Sequence, residues 1–325
     1  MFQSSIQIGT TIRYLRKQNH LTQTQLAKDI CSAKYIYNLE KNLCSPTTNI
    51  LLQLSERLKV DIYSCHQDMC QAGSIDTYKK LELLSEIIGR SDIATAYHYA
   101  QEWKDLPDFR SGYPLQYLQY AFSCYASRQK NYKTAIQYAL QGLQVKYPSI
   151  TESNIMTQKN PSFSNIELAL INCIAANYSK QDHLLDANSL FLYLIDYLHP
   201  YTKLLNAAIH QHYHFHIALF CMVIANLLYI QHTIGYTKNS LSLLDEAIHI
   251  CKRLSYSNSL YILLEEKAVY YYKQKNLSLA KQLFEQAAIL QLYSPKSKQS
   301  SEEYLQTFQE KYPACFNTII HQQEI

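Results

Sequence analysis

Four histidines at alternate positions form the pattern in this sequence that most resembles a metal site. They are His210, His212, His214 and His216. On a helix, His210 and His214 would share one face and His212 and His216 the next, so either pair could bind zinc with a third ligand. Alternatively, the run is the polar beginning of a helix that continues from Ile217, and we prefer this interpretation.

Other reactive residue types lack the spacing that catalysis needs. Cys65, His66 and Cys70 have no partners at zinc spacing, and the nine cysteines form no C-x-x-C pair. The chain contains no glycine-rich phosphate loop, nucleophile elbow or H-E-x-x-H motif. We therefore expect a protein that is not an enzyme and that binds no metal and no cofactor.

The composition predicts a cytoplasmic protein. An odd number of scattered cysteines favours reduced thiols over a disulfide framework. No basic segment followed by an apolar one opens the chain, so we expect no signal peptide. The longest apolar run, from Ile217 to Ile230, has about 14 residues and contains Asn226, so it is too short to cross a bilayer. We expect no membrane partner.

The basic residues are concentrated at the beginning of the chain. Residues 1–65 contain eight basic and four acidic residues, whereas the rest of the chain contains 22 of each. The net charge of +4 therefore lies in the N-terminal segment, as a module that binds phosphates requires.

Four short helices are predicted in this basic segment. The first runs from Ile8 to Gln18, with its apolar residues on one face. The second begins after Thr22, a good N-cap, and the third covers about Ala33 to Lys41. A fourth helix follows Pro46 and Thr47.

These residues resemble the helix-turn-helix family of phage repressors and their bacterial relatives. The family pattern is carried by Ile12, Leu15-Arg16, Leu21-Thr22-Gln23, Leu26-Ala27, Ile36, Leu39-Glu40 and Pro46-Thr47. The resemblance implies that the third helix enters the major groove of double-stranded DNA. It also implies a structural ion pair between Arg16 and Glu40. A helical bundle that binds protein is the alternative.

The resemblance also implies individual DNA contacts. Gln23 begins the second helix, where family members donate to a phosphate. Asn38 could form a bidentate pair with adenine, and Lys34 could donate to guanine. The side chains expected to reach bases are Ala33, Lys34, Tyr35, Tyr37 and Asn38.

The rest of the chain is rich in helical periodicity and contains a degenerate repeat. The segment Lys130 to Ile136 resembles the step between the two helices of a tetratricopeptide repeat. Small residues that would let paired helices approach closely recur at Ala135, Ala187, Ser240 and Ala280. We predict an all-α protein in which a helix-turn-helix domain (1–66) and a linker (67–77) precede a right-handed superhelix of degenerate tetratricopeptide repeats (78–325).

This combination resembles the PlcR-like peptide-pheromone regulators of Gram-positive bacteria. The resemblance implies a homodimer on a pseudo-palindromic operator and a short signalling peptide in the concave groove of the repeats. Repeat alignment places Asn172 and Asn226 at equivalent positions, where carboxamides could hold a peptide backbone. Further peptide contacts are expected from residues on similar faces, which are Tyr117, Tyr120, Tyr229, Glu265, Tyr272 and Lys273. For each tyrosine, packing between helices is the alternative.

Two functions are compatible with this organisation. One is a transcriptional regulator controlled by a peptide, and the other is a regulator whose repeats bind a protein partner. A neighbouring small gene that encodes a signal peptide and a short apolar C-terminus would favour the first.

Overall fold

A computed structural model describes residues 6–158, 161–203, 214–254, 257–291 and 301–316, and all regular elements in these ranges are helical. The head, residues 6–72, contains five helices, which are α1 (Ile8–Gln18), α2 (Gln23–Ala27), α3 (Ala33–Glu40), α4 (Thr48–Leu58) and α5 (Ile62–Ala72). The predicted bounds of α1 are confirmed, and α3 ends one residue before the predicted end.

Side-chain caps explain where the helices of the head begin. The Thr22 hydroxyl accepts from the Gln25 backbone amide, and the Thr22 backbone amide donates to the Gln25 side-chain oxygen, which completes a capping box. The Thr47 hydroxyl caps α4 in the predicted place. Gly9 lets α1 lie directly against α3, because a Cβ there would sit 1.7 Å from the Leu39 carbonyl oxygen.

The segment predicted to be a linker is mostly helical, which corrects that interpretation. Asp61 accepts hydrogen bonds from two amides of the first turn of α5, and this helix continues to Ala72 because Met69 and Ala72 are buried. Gly73, with φ of 80°, ends the helix. Ser74 caps the next helix, so the connection is only two residues long.

Within the described residues, five helix pairs and one further helix follow the head. They are α6 (Ile75–Gly89) with α7 (Ile93–Trp103), α8 (Gly112–Arg128) with α9 (Tyr132–Gln144), α10 (Asn165–Ser179) with α11 (Leu184–Thr202), α12 (His214–Ile234) with α13 (Ser240–Leu254), α14 (Ser257–Lys273) with α15 (Leu277–Gln291), and α16 (Ser301–Lys311). The predicted fold class, helical repeats after a helix-turn-helix head, is confirmed.

The small residues of the repeat lie where the helices of a pair meet. Ala135, Ala187, Ser240 and Ala280 are all buried. In the second pair the Ser123 hydroxyl donates to the Ala135 carbonyl oxygen at 2.8 Å, so the helices approach to hydrogen-bond distance.

The first helices of successive pairs contact one another along the array, as α8, α10, α12 and α14 do. No contact of similar extent joins the second helices within the described residues. A stack that is tighter on one side curves toward that side. We call the solvent-facing surface of α8, α10, α12 and α14 the inner wall.

One helix is long and apolar enough to be compared with a membrane span. It covers Phe215–Ile234, and 61% of its most apolar window is buried within the fold. A helix in the core of a protein has this composition too, and α12 packs against α10, α11, α13 and α14.

Candidate nucleic-acid and ligand interfaces

Helix α3 presents a polar face to solvent because its apolar face closes the core of the head. Ile36 and Leu39 are fully buried. On the other side Lys34 is exposed, Tyr37 is 47% exposed and Asn38 is half-buried. Three of the predicted base contacts therefore point away from the core.

The other two predicted base contacts are partly occupied within the head. Ala33 and Tyr35 are half-buried and pack against the core of the head. The Tyr35 hydroxyl donates to the Ser45 carbonyl oxygen at 3.3 Å. These contacts fix the beginning of α3 against the turn that precedes α4.

A buried ion pair ties α1 to α3, as the resemblance implied. Arg16 Nε lies 2.5 Å from Glu40 Oε1, and Arg16 Nη2 donates to Glu40 Oε2 at 2.9 Å. The hydrogen bond to Glu40 raises the pKa of the Arg16 guanidinium. Gln23 Nε2 also donates to Glu40 Oε2, at 2.8 Å, so the Gln23 carboxamide braces this pair while its phosphate contact stays a prediction.

A basic recess lies beside α3. Its volume is about 220 Å³, and Lys41 Nζ stands 5.9 Å from the centre of the Tyr37 ring at its edge. The lining residues are Arg13, Arg16, Lys17, Gln23, Tyr37, Glu40 and Lys41. The sequence revealed the charge but not this convergence, because α1 and the end of α3 meet only in the folded head.

On the inner wall, α12 exposes a narrow stripe. Between residues 221 and 230 only Met222, Asn226 and Tyr229 reach solvent, and they are spaced by four and three residues. Met222 is 42% exposed and Tyr229 is 62% exposed. Sequence reasoning missed Met222, although its position four residues before Asn226 indicates a shared face.

The structure brings the two predicted asparagines together. Asn226 Nδ2 donates to Asn172 Oδ1 at 3.4 Å, across the contact between α12 and α10. Asn172 is 8% exposed. Each carboxamide uses one of its two polar groups in this bond, so Asn226 keeps an acceptor and Asn172 keeps donors for another partner.

The two predicted tyrosine contacts on α8, Tyr117 and Tyr120, have different surroundings. Tyr117 lies within hydrogen-bond distance of Tyr113, hydroxyl to hydroxyl at 3.3 Å, and Tyr113 donates to Asp68 Oδ1 on α5 at 3.3 Å. Tyr120 lies one turn further along α8, beside Cys124, and burial raises the pKa of its hydroxyl.

A cavity of about 530 Å³ opens where α5, α6 and α8 meet. Its lining residues are Asp68, Tyr78, Leu81, Glu82, Ser85, Glu86, Tyr113 and Tyr117. The predicted contact Tyr117 therefore faces the junction of head and repeats.

Hydrogen bonds across the same junction join the head to the first helix pair. Tyr14 on α1 donates to Glu82 Oε2 at 3.0 Å, and Tyr78 donates to Glu82 Oε1 at 2.7 Å. The Tyr14 and Tyr78 rings meet edge to face at 6.0 Å. Within the head, Thr11 Oγ1 lies 3.0 Å from His66 Nδ1, so α1 is also held against α5. The position of α1 is thus coupled to the first repeat.

At the far end of the array the predicted residues are already engaged. Tyr304 on α16 donates to the Glu265 carboxylate at 2.8 Å, and burial raises the pKa of Glu265. The Tyr272 ring packs edge to face against Tyr312 at 5.0 Å. Lys273 donates to the His232 carbonyl oxygen. Helix α16 and Tyr312 therefore bound the inner wall at this end.

The histidine run is only partly within the described residues. His210 and His212 lie outside them, as does the His214 side chain, although His214 begins α12. The His216 ring stacks on Tyr201 at 4.3 Å. The described residues contain no cluster of three or more histidine, cysteine, aspartate or glutamate side chains that could hold a metal ion.

Comparison with known proteins identifies the head. Residues 12–64 match the helix-turn-helix family. The head is a helix-turn-helix domain. No curated protein matches the chain by sequence.

Solved structures resemble the whole chain. PlcR of Bacillus thuringiensis, in complex with the peptide PapR7 and DNA, is 17% identical and covers 96% of this chain and 99% of its own, with a TM-score of 0.56. The SHP pheromone receptor Rgg2 of Streptococcus dysgalactiae is 15% identical and covers 95% of this chain and 99% of its own, with a TM-score of 0.46. The likeness to PlcR establishes the fold, in which a helix-turn-helix head precedes helical repeats.

Proposed function

We propose that this protein is a cytoplasmic transcriptional regulator that binds operator DNA and is controlled by a short signalling peptide on its inner wall. The observation that carries the proposal is a helix-turn-helix head joined to an array with the fold of PlcR, whose structure contains a peptide and DNA. The paired asparagines on the inner wall support the same function.

The DNA part of the proposal rests on α3 and the basic recess. Lys34, Tyr37 and Asn38 face solvent on one helix and would read base edges in the major groove. Arg13, Lys17 and Lys41 would hold the phosphate backbone beside it. A homodimer would place two heads on a pseudo-palindromic operator, with half-sites one or two helical turns apart.

The peptide part rests on the chemistry of the inner wall. Asn172 and Asn226 can donate to and accept from the backbone of an extended peptide. Met222 and Tyr229 flank them and offer apolar surface to peptide side chains. These groups suit a peptide ligand that is short, extended and apolar.

Control of the head by the peptide would pass through the junction. Tyr117, on the inner-wall helix α8, is linked through Tyr113 to Asp68 on α5, and α5 packs against α1 of the head. A peptide that shifts α8 would therefore bias the position of the head. Such coupling is typically worth about 1–3 kcal/mol.

Titration of the full chain with candidate peptides, with and without operator DNA, tests this function. DNA is first selected from a random pool, and we expect an inverted repeat whose preference at one position relaxes in Asn38→Ala. Peptides from small genes next to this one are then titrated by calorimetry. Because coupling is reciprocal, the effective peptide should bind the DNA complex and the free protein with different affinities.

Three results would contradict the proposal. If the selected DNA shows no preferred sequence, the protein does not recognise an operator. If the peptide binds with equal affinity with and without DNA, the array does not control the head. A species of 37.8 kDa by light scattering on the operator-free protein at micromolar concentration would exclude a preformed dimer.

A further inference from the structure

The cavity where α5, α6 and α8 meet has no ligand in the proposed function, and we call it the junction cavity. Its volume of about 530 Å³ lies within the range of small-molecule sites in proteins, about 300–1,000 Å³. Tyr117, one of the predicted peptide contacts, is among its lining residues. The junction cavity therefore lies beside α8, the inner-wall helix that is nearest to the head in the chain.

The charged residues that line the junction cavity are all acidic. Three of the eight lining residues are carboxylates, and none of the eight is lysine, arginine or histidine. Glu86 is paired with Arg90 on the same helix. Asp68 and Glu82 accept hydrogen bonds from tyrosine hydroxyls. Because a hydroxyl donor carries no charge, these bonds do not neutralise the two carboxylates.

Tyrosine rings lie beside these carboxylates. Tyr78, Tyr113 and Tyr117 all line the cavity, and the Tyr113 and Tyr117 rings meet edge to face at 5.1 Å. Burial raises the pKa of Tyr78, and the neighbouring Glu82 acts in the same direction, so this hydroxyl stays neutral. The face of a neutral aromatic ring attracts a cation, and aromatic walls are a common way to hold an ammonium group.

We propose that the junction cavity binds an organic ammonium ion, with Asp68 and Glu82 as its ionic partners and the tyrosine rings as its walls. An ammonium group has three donors, and an ionised carboxylate can accept about four hydrogen bonds. Glu82 accepts two, so it retains capacity for a ligand. The ammonium belongs either to the N-terminus of the signalling peptide or to a free amine.

Binding would compete with the contact between the head and the array. Tyr14 on α1 donates to the Glu82 carboxylate, which the ligand would also engage. An ammonium ion that draws this carboxylate toward itself weakens the bond to Tyr14, and α1 is then held less firmly against the first helix pair. This consequence rests on the proposed function, whereas binding in the junction cavity does not.

Calorimetric titration of the full-length protein with 1,4-diaminobutane tests the site, and 1,4-butanediol is the neutral probe of the same length. We expect saturable binding of the diamine alone. The double variant Asp68→Asn/Glu82→Gln preserves side-chain size and should weaken this binding about ten-fold, because two ion pairs are lost. Glu82→Gln alone should weaken it about three-fold, which provides a test if the double variant does not fold.

Asp76→Asn is the matched control. Asp76 lies on α6 like Glu82, but it pairs with Lys80 and does not line the junction cavity. Its loss removes the same charge from the same helix, and the affinity for 1,4-diaminobutane should stay that of wild type.

N-acetylation of a peptide found in the titrations proposed above separates the two sources of the ammonium group. If the peptide N-terminus enters the junction cavity, acetylation should weaken binding about ten-fold in wild type and leave it unchanged in the double variant. If acetylation has no effect in wild type and the diamine binds, the ligand of the cavity is a free amine.

Four results would overturn the ammonium site. These are no saturable binding of the diamine, equal binding of diamine and diol, equal diamine affinity in wild type and the double variant, and an equal loss in Asp76→Asn. Diamine binding that depends on Asp68 and Glu82, in a protein whose peptide affinity does not respond to operator DNA, would support the site and contradict only the proposed function.

Discussion

Asn226 donates to Asn172 across 3.4 Å, and this bond joins the first helices of the third and fourth pairs on the surface that would hold a ligand. The bond aligns both carboxamides before any ligand arrives, which lowers the entropy cost of binding. It also gives the Asn226 carboxamide, the polar group within the apolar run of α12, a hydrogen-bond partner inside the fold.

Asn226→Ala should weaken peptide binding about ten- to hundred-fold, because unpaired peptide groups cost about 1–3 kcal/mol. Calorimetric titration of variant and wild type measures this. The matched control is Asn188→Ala, since Asn188 accepts a bond of the same 3.4 Å length from Gln231 but lies on the second helix α11. Equal losses in the two variants would show that the effect is structural.

Lys17→Ala should weaken binding to every DNA sequence alike, because Lys17 lines the basic recess and would contact phosphate. The slope of log affinity against log salt concentration should fall by about 1. Binding is measured at several salt concentrations on specific and random duplexes. Lys59→Ala removes the same charge away from the recess, and an equal change in its slope would contradict a localised phosphate contact.

Arg16→Ala should lower the free energy of unfolding by about 3–5 kcal/mol, because it leaves the buried Glu40 carboxylate without its ion partner. Urea denaturation followed by circular dichroism measures the loss. Arg13→Ala removes an exposed arginine from the same helix and should cost less than about 1 kcal/mol. Similar losses in both variants would show that the pair contributes little.

The head was predictable because its signals are local. Thr22 and Thr47 begin helices by capping amides three residues away, so these signals can be recognised along the chain. The same logic applies to Asp61, whose side chain caps α5, so the helix across the predicted linker also has a local signal.

The surroundings of the candidate ligand site were not predictable in the same way. The sequence predicted a shared role for Asn172 and Asn226 because the repeat gives them equivalent positions. The contacts of Tyr113 with Asp68 and of Tyr304 with Glu265 join helices that are 45 and 39 residues apart in the chain. No periodicity within one helix specifies such a contact, because it depends on how successive pairs are rotated.

Glu265→Gln should stabilise the protein at neutral pH and leave stability unchanged in acid. Burial raises the pKa of Glu265 in the folded state, so stability falls as the pH rises above the ordinary value, and the full penalty is reached above the folded pKa. Below about pH 4.5, the ordinary value, both states hold the proton and the variant gains nothing. Glutamine keeps an acceptor for the Tyr304 hydroxyl.

Unfolding midpoints from pH 4 to pH 8 measure this effect, and the difference between Glu265→Gln and wild type should grow as the pH rises. Glu285→Gln is the control, since Glu285 is exposed on α15. A difference that stays constant across this range would mean that the carboxylate of Glu265 is not penalised by burial.

Tyr14→Phe should uncouple the head from the repeats while preserving both. The variant loses only the hydroxyl that donates to Glu82, and it keeps the ring that packs on Tyr78. DNA affinity without peptide and peptide affinity without DNA should change little, whereas the ratio of peptide affinities with and without operator should move toward one. Tyr63→Phe is the matched control, because Tyr63 is exposed on α5 and its hydroxyl accepts from Gln67 within the same helix. If the ratio in Tyr14→Phe equals that of wild type, the junction does not transmit the peptide signal, and the contact between α5 and α8 through Asp68 and Tyr113 becomes the route to test.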